Sequence, residues 1–268
     1  GHPYAHPTRG YEATINDITR EEVEAFYRHN FSQSNVLIGV AGDVSPEGVV
    51  KVRSQLLEGL PVGKVLESTP EVPSFEPGLR ILLVTRPDRS QAQVAIGQTA
   101  LRGDSSDLFP ASVAVTGFGG TFTSVLVREI REKRGWSYGV GAALVPGRYT
   151  GLFQIRYAPS TEDVVPAIKL TGELLSDLAT NGLPPEHIEF AQSYMSSQYP
   201  FLLDTPHKRL AMALDVILAN KPDDYVENYV KYVEGVTADG AKQALNRLLR
   251  PNDMAVVVVG DPALAESL

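Results

Sequence analysis

The sequence predicts an α+β fold: α+β domains in tandem, each an antiparallel-rich sheet with helices on one face, the first domain incomplete. Three observations carry this. Between residues 78 and 268 strand-like segments come first and helix-like segments follow, the order of an α+β domain. A gapless internal match joins residues 18–43 to residues 236–261. The first copy has only 17 residues before it, whereas the second follows a full set of strands and helices.

The match is between ITREEVEAFYRHNFSQSNVLIGVAGD and VTADGAKQALNRLLRPNDMAVVVVGD, at an offset of 218 residues. Each copy opens on an aliphatic residue and a threonine, and Thr19 and Thr237 suit a helix N-cap. Glu22 stands three residues after Thr19, the spacing of a capping box. After a helix-length stretch and a polar break come Val36 to Ala41 and Met254 to Val259. These segments are apolar at every position, the pattern of a strand covered on both faces. Gly42-Asp43 and Gly260-Asp261 then stop the chain. Equivalence of the copies implies that roughly 200 residues belong ahead of Gly1.

Ser45-Pro46 offers an N-cap followed by proline at the first helical position, so the expected order to Leu60 is helix, strand, helix. Residues 61–77 hold four prolines and read as a linker between residues 1–60, the remnant of a first domain, and residues 78–268, the second. In the second domain, Leu79–Thr85 and Gln91–Ile96 are the first strands, with a turn at Pro87–Ser90. A helix follows Asp107. A glycine-rich turn at Gly117–Gly120 precedes another helix that ends at Gly135. Ser137–Leu144 and Tyr149–Tyr157 flank Pro146-Gly147 as a hairpin. Thr161–Ala179 is an amphipathic helix with Val164, Ile168, Leu175 and Leu178 on one face. Helices starting near Pro185, Pro206 and Pro222 complete the series.

The 268 residues are 43% apolar and 21% charged, enough to bury a substantial core. The net charge of −8 argues against a nucleic-acid groove, which needs a basic face. There is no cysteine, so disulfides, thiolate zinc sites and a cysteine nucleophile are excluded. No apolar run approaches the roughly 18 residues of a membrane span. The composition fits the bacterial periplasm and the cytoplasm equally.

Residues 117–140, GFGGTFTSVLVREIREKRGWSYGV, resemble the core motif of the C-terminal domain of the M16 (pitrilysin or insulinase) zinc metallopeptidases. That motif is a glycine-rich turn, a helix, then Arg-Glu-Lys-x-Gly-x-x-Tyr. The opening residues to Phe31 and the strand-to-Gly-Asp ends are similar to the same family. The resemblance implies tandem M16-type (LuxS/MPP-like metallohydrolase) α+β domains. It also implies a half-shell that closes with a second half-shell, as a homo- or heterodimer, around a peptide substrate. Zinc in this family sits in the first domain of one half, on an inverted His-x-x-Glu-His helix with a more distant glutamate as third ligand.

That motif is absent here. His2 and His6 are spaced i, i+4, but Pro3 and Pro7 disfavour a helix and no glutamate lies between them, so a plain loop accounts for the pair. His29, His187 and His207 have no ligand partners in sequence. No metal-binding or catalytic residue is therefore assigned, and zinc is expected in the missing front or in a partner subunit.

Arg131 and Tyr138 match the family's Arg-Tyr pair, which reaches from the half opposite the zinc to the substrate backbone. A guanidinium and a phenol can both donate to a carbonyl oxygen as it gains negative charge. Their plain alternatives are an arginine favoured by a helix C-terminus and a tyrosine at home on a strand. Gly117, Gly119 and Gly120 offer backbone N–H groups to a peptide, or merely a close-packed turn. A phosphate loop is a poor reading, with no strand before the glycines and no Gly-Lys-Ser/Thr. Trp136 reads as core. Two functions follow: the substrate-binding half of a zinc endopeptidase, inactive alone, or a non-catalytic scaffold that kept the fold. The retained Arg131 and Tyr138 favour the first.

Overall fold

A computed structural model describes residues 5–64 and 77–268. The chain divides into two compact units, Gly1–Pro73 with Asp204–Leu214, and Ser74–Leu203 with Asp215–Leu268. Most of the segment expected as a linker lies outside the described residues.

The first unit holds α1 (Glu12–Asp17), α2 (Arg20–Asn30) and α3 (Pro46–Leu57). The caps form as their residues dictate. Thr19 accepts from the Glu22 N–H at 3.2 Å and Glu22 accepts from the Thr19 N–H at 2.8 Å, the reciprocal capping box. The Thr19 N–H, and then the Thr19 hydroxyl donating at 3.0 Å, hold the Glu22 carboxyl below the usual range. Ser45 accepts from the Gly48 N–H at 3.1 Å ahead of Pro46.

The expected strand at Val36–Ala41 does not form. The backbone is extended at Val36, but among the described residues no neighbouring strand takes up its N–H and C=O groups. Val36 and Leu37 are correspondingly exposed, at 38% and 47%. Leucines of the 204–214 segment approach instead: a Cβ built on Gly39 would lie 2.5 Å from Leu210 Cδ1.

The second unit carries one five-stranded sheet in the order β1-β5-β2-β4-β3. Its strands are β1 (Arg80–Thr85), β2 (Gln93–Ala100), β3 (Val140–Val145), β4 (Gly151–Tyr157) and β5 (Ala255–Gly260). Only the β1–β5 pair is parallel. β1 and β2 flank the expected turn, where Asp88 takes a positive φ of 63°, yet they are not neighbours. β5, the end of the second repeat copy, lies between them. The hairpin around Pro146-Gly147 joins β3 and β4 as expected.

The helices of this unit are α4 (Leu108–Val115), α5 (Val164–Asn181), α6 (Pro185–Gln198), α7 (Pro206–Leu218), α8 (Tyr225–Glu234) and α9 (Ala238–Leu248), of which α7 begins in the other unit. Alternation along the strands decides where they dock. Val94, Ile96, Phe153, Ile155, Val256 and Val258 are at most 4% exposed, while their neighbours on the other face are half-buried or exposed. β5 is thus covered on one face, not two, because the helices lie on one side of the sheet. Val164, Ile168, Leu175 and Leu178 of α5 are all buried, as their spacing predicts. Each such side chain contributes about 1.5–3 kcal/mol when fully buried.

Polar ties close the layer. Thr237 caps α9 by accepting from the Gly240 N–H at 3.0 Å. Gln98 donates to the Leu248 carbonyl and accepts from the Arg250 N–H, each at 2.8 Å, and so satisfies the other end of α9. Arg247 of α9 donates to both carboxylate oxygens of Asp107 at 2.8 and 2.6 Å, which holds that carboxyl below its ordinary range.

Candidate functional site

Arg131 is set by the helix that carries it. Leu126 and Ile130 are fully buried and Val127 nearly so, which fixes one face of the segment against the sheet layer. Residues Val127–Glu132 form a π-helical turn, with the Lys133 N–H donating back to the Arg128 carbonyl at 2.9 Å. Such turns are rare and recur at functional sites. The helix then closes as a Schellman motif. Gly135 takes φ 67° and donates to the Arg131 carbonyl, and Trp136 donates to the Ile130 carbonyl, both at 3.0 Å.

Tyr138 does not open a strand as expected; β3 begins at Val140. The residue stands in the loop before it, 85% exposed. Ser137 explains why the loop holds. Its buried hydroxyl donates to the Gly139 carbonyl at 2.7 Å and accepts from the Ala158 N–H at 2.9 Å, tying the loop to the end of β4.

These constraints bring the two side chains together. The Arg131 guanidinium lies 4.6 Å from the centre of the Tyr138 ring and 5.5 Å from that of Phe122, which is itself 77% exposed. Cation–π contacts of this kind use the face charge of the rings and leave the N–H donors available. The surrounding charges favour that. Glu129 is a half-buried carboxylate that takes Lys133 at 2.7 Å and Arg134 at 2.9 Å, with Arg128 at 3.8 Å. The Lys133 hydrogen bond first, and then Arg134, hold its carboxyl low. Arg131 shares none of this and has no carboxylate partner among the described residues.

A cleft of about 440 Å³ opens beside the pair, bounded by Gly119, Gly120, Phe122, Val127 and Tyr194. The three glycines behave differently. The expected turn is a π-helical continuation of α4 over Thr116–Gly120, so their N–H groups are not presented as an open loop. Gly117 is buried away from the cleft, and a Cβ there would lie 3.0 Å from the His187 carbonyl oxygen of α6. Gly119 is buried at the cleft wall, where a Cβ would lie 2.6 Å from Ala142 Cβ and 2.7 Å from its nitrogen. Gly120 alone is exposed.

Trp136 is half-buried with Arg134 5.3 Å from its ring centre, not a full core residue. Sequence reasoning missed Phe122, Tyr194 and Ser137. Phe122 carried a signal: it sits among Thr121, Thr123 and Ser124, where the apolar period that marks a buried ring is broken.

His2 lies outside the described residues. Among the described residues no group of three or more histidine, aspartate or glutamate side chains could hold a metal ion, so this part of the chain does not fit the family's zinc. No described helix is long and apolar enough to cross a membrane.

The family model described as the peptidase M16 inactive domain matches residues 17–195, more than half of the chain. The chain belongs to the M16 peptidase family. An uncharacterized zinc protease of Mycobacterium bovis is 25% identical over 254 residues, covering 92% of this chain and 57% of that protein. A non-peptidase homolog of Helicobacter pylori is 20% identical, covering 97% of this chain and 60% of that one. The chain thus spans about three-fifths of these relatives' length. A crystal structure of the peptidase M16 inactive domain from Pseudomonas fluorescens superposes with a TM-score of 0.87 at 25% identity, over 97% of this chain and 61% of that one. A chain of complex III from Candida albicans shares the fold at a TM-score of 0.79 and 12% identity, over 98% of this chain and 64% of that one.

Proposed function

We propose that this M16 chain is the substrate-binding side of a zinc-dependent endopeptidase, with Arg131 and Tyr138 holding the peptide backbone and no catalysis by the chain alone. One observation carries the reading: a guanidinium without a carboxylate partner among the described residues, 4.6 Å from an exposed tyrosine ring at the mouth of a cleft. Held this way, the arginine N–H groups and the phenol can donate to one peptide carbonyl, and they strengthen that hold as the oxygen gains charge. Gly120, the exposed one of the three glycines, lets the peptide approach the backbone at the cleft wall. Residues 1–60 are then the end of a first M16 domain, 61–77 its linker, and 78–268 the second domain. The zinc belongs upstream or to a second half-shell, since the described residues have no place for it.

The test is peptide hydrolysis by the full-length protein together with any zinc-bearing half encoded beside it. Replacing Arg131 with glutamine should lower kcat/KM by about 10²–10³, and Tyr138→Phe by less. Unchanged hydrolysis in the double variant would sink the reading. A scaffold function is the second reading, favoured by the words "non-peptidase homolog" attached to the Helicobacter pylori relative. It predicts assembly with a partner and no hydrolysis under any metal loading.

A further inference from the structure

We propose that Arg156 is a second recognition point, which binds an acidic side chain of the peptide whose backbone Arg131 and Tyr138 hold. The proposal rests on the peptide-binding reading of that cleft. Along β4, Phe153, Ile155 and Tyr157 are buried on the helix side, so Gln154 and Arg156 face the uncovered side of the sheet. Register sets what flanks them. Arg156 pairs with Ala95 of β2 and Gly141 of β3, and Gln154 with Gly97 and Ala143. The residues directly opposite them carry nothing larger than a methyl group, which leaves a trough of about 400 Å³ lined by Arg156, Gln154 and Gln93.

Charge gives the trough its preference. Across β2, β3, β4 and β5, Arg156 is the one charged residue. It is exposed, and it makes no ion pair among the described residues. In a chain of net charge −8, acidic partners for a surface arginine are plentiful, yet none is placed here. A guanidinium on a neutral surface presents its planar fork to a carboxylate in bidentate geometry.

The trough and the Arg131–Tyr138 cleft adjoin along β3, where Gly139, Val140, Gly141 and Ala142 line both. Gly141 pairs with Arg156, and Tyr138 lies three residues before it, so the two points are on the order of 10 Å apart. An extended peptide advances about 3.3 Å per residue. The acidic residue should therefore lie about three or four positions from the carbonyl held by Arg131.

The test uses the full-length protein with its zinc-bearing half and a set of labelled peptides that differ only by Glu or Gln at one position at a time. Affinity is read by fluorescence anisotropy immediately on mixing. The expected result is a Glu preference of about five- to tenfold at one position. Arg156→Gln should abolish it and Arg156→Lys retain part of it. Arg131→Gln should weaken all peptides alike and leave the Glu/Gln ratio intact. Equal affinity for Glu and Gln at every position, or a preference that survives Arg156→Gln, overturns the inference while the peptide site stands. If no peptide binds, the peptide reading itself falls and takes this inference with it.

Discussion

Gly119 is where the fold and the candidate site press on one another. A Cβ there would meet Ala142 Cβ at 2.6 Å, Ala142 N at 2.7 Å and Leu126 Cδ1 at 2.8 Å. Carbon contacts are comfortable at about 3.5–4.0 Å, so roughly 1 Å must be found. Leu126 is fully buried and cannot swing away, and Ala142 belongs to β3, which is held in register by β4. Overpacking of this kind costs about 1–3 kcal/mol. The helical gain of alanine over glycine returns at most about 1 kcal/mol. Gly119→Ala should therefore destabilise by about 2 kcal/mol, a fall in Tm of about 4–8 °C. Urea titration at constant m-value measures it. Adding Ala142→Gly removes the 2.6 Å clash but not the one with the backbone nitrogen, so the double variant should recover only part of the loss. A Gly119→Ala protein as stable as wild type, or two substitutions whose costs simply add, would refute the packing argument.

Four further outcomes are expected. Ile130→Ala should cost about 2–5 kcal/mol in denaturant unfolding, since it empties the buried face that orients Arg131. Tyr138→Phe keeps the ring against Arg131, so peptide affinity measured by anisotropy should fall less than in Tyr138→Ala. The Arg247 hydrogen bond depresses the Asp107 carboxyl, so the stability from that pair is present above the ordinary carboxylate range near 4 and is lost as pH falls through the depressed value. Asp107→Asn should thus cost up to about 1 kcal/mol at pH 7 and flatten the acid side of a stability–pH curve, read by thermal melts, because Arg247 is largely exposed. Zinc titration of residues 1–268 followed by calorimetry should show no stoichiometric site, and chelator-sensitive peptide hydrolysis by this chain alone would contradict that.

Periodicity revealed most of the second unit. The apolar stripe of α5, the threonine caps and the hairpin all follow from local rules, and all appear where those rules put them. What the sequence hid was pairing. Val36–Ala41 and Met254–Val259 carry the same strand pattern, but among the described residues only the second finds neighbours, β1 and β2. Hydropathy records a willingness to pair and not the presence of a partner. The candidate site was legible as a motif and only partly as geometry. The spacing of Arg131 and Tyr138 could be read, whereas the ring contacts depend on Phe122 and on the Ser137 hydroxyl, and no local pattern joins these. The glycines were read as a binding loop, but two of the three are buried because neighbouring elements come too close for a side chain.

The helix closure at Gly135 has a consequence for how this stretch can change length. Seven residues at full extension could span about 23 Å, yet Arg131 and Tyr138 meet with guanidinium and ring centre 4.6 Å apart. The two hydrogen bonds at Gly135 and Trp136 fold the first half of that distance away, and the Ser137 hydroxyl fixes the second. The segment works as a ruler whose marks are set by backbone bonds. A single residue inserted between 132 and 137 would keep every side chain named above and still separate the pair.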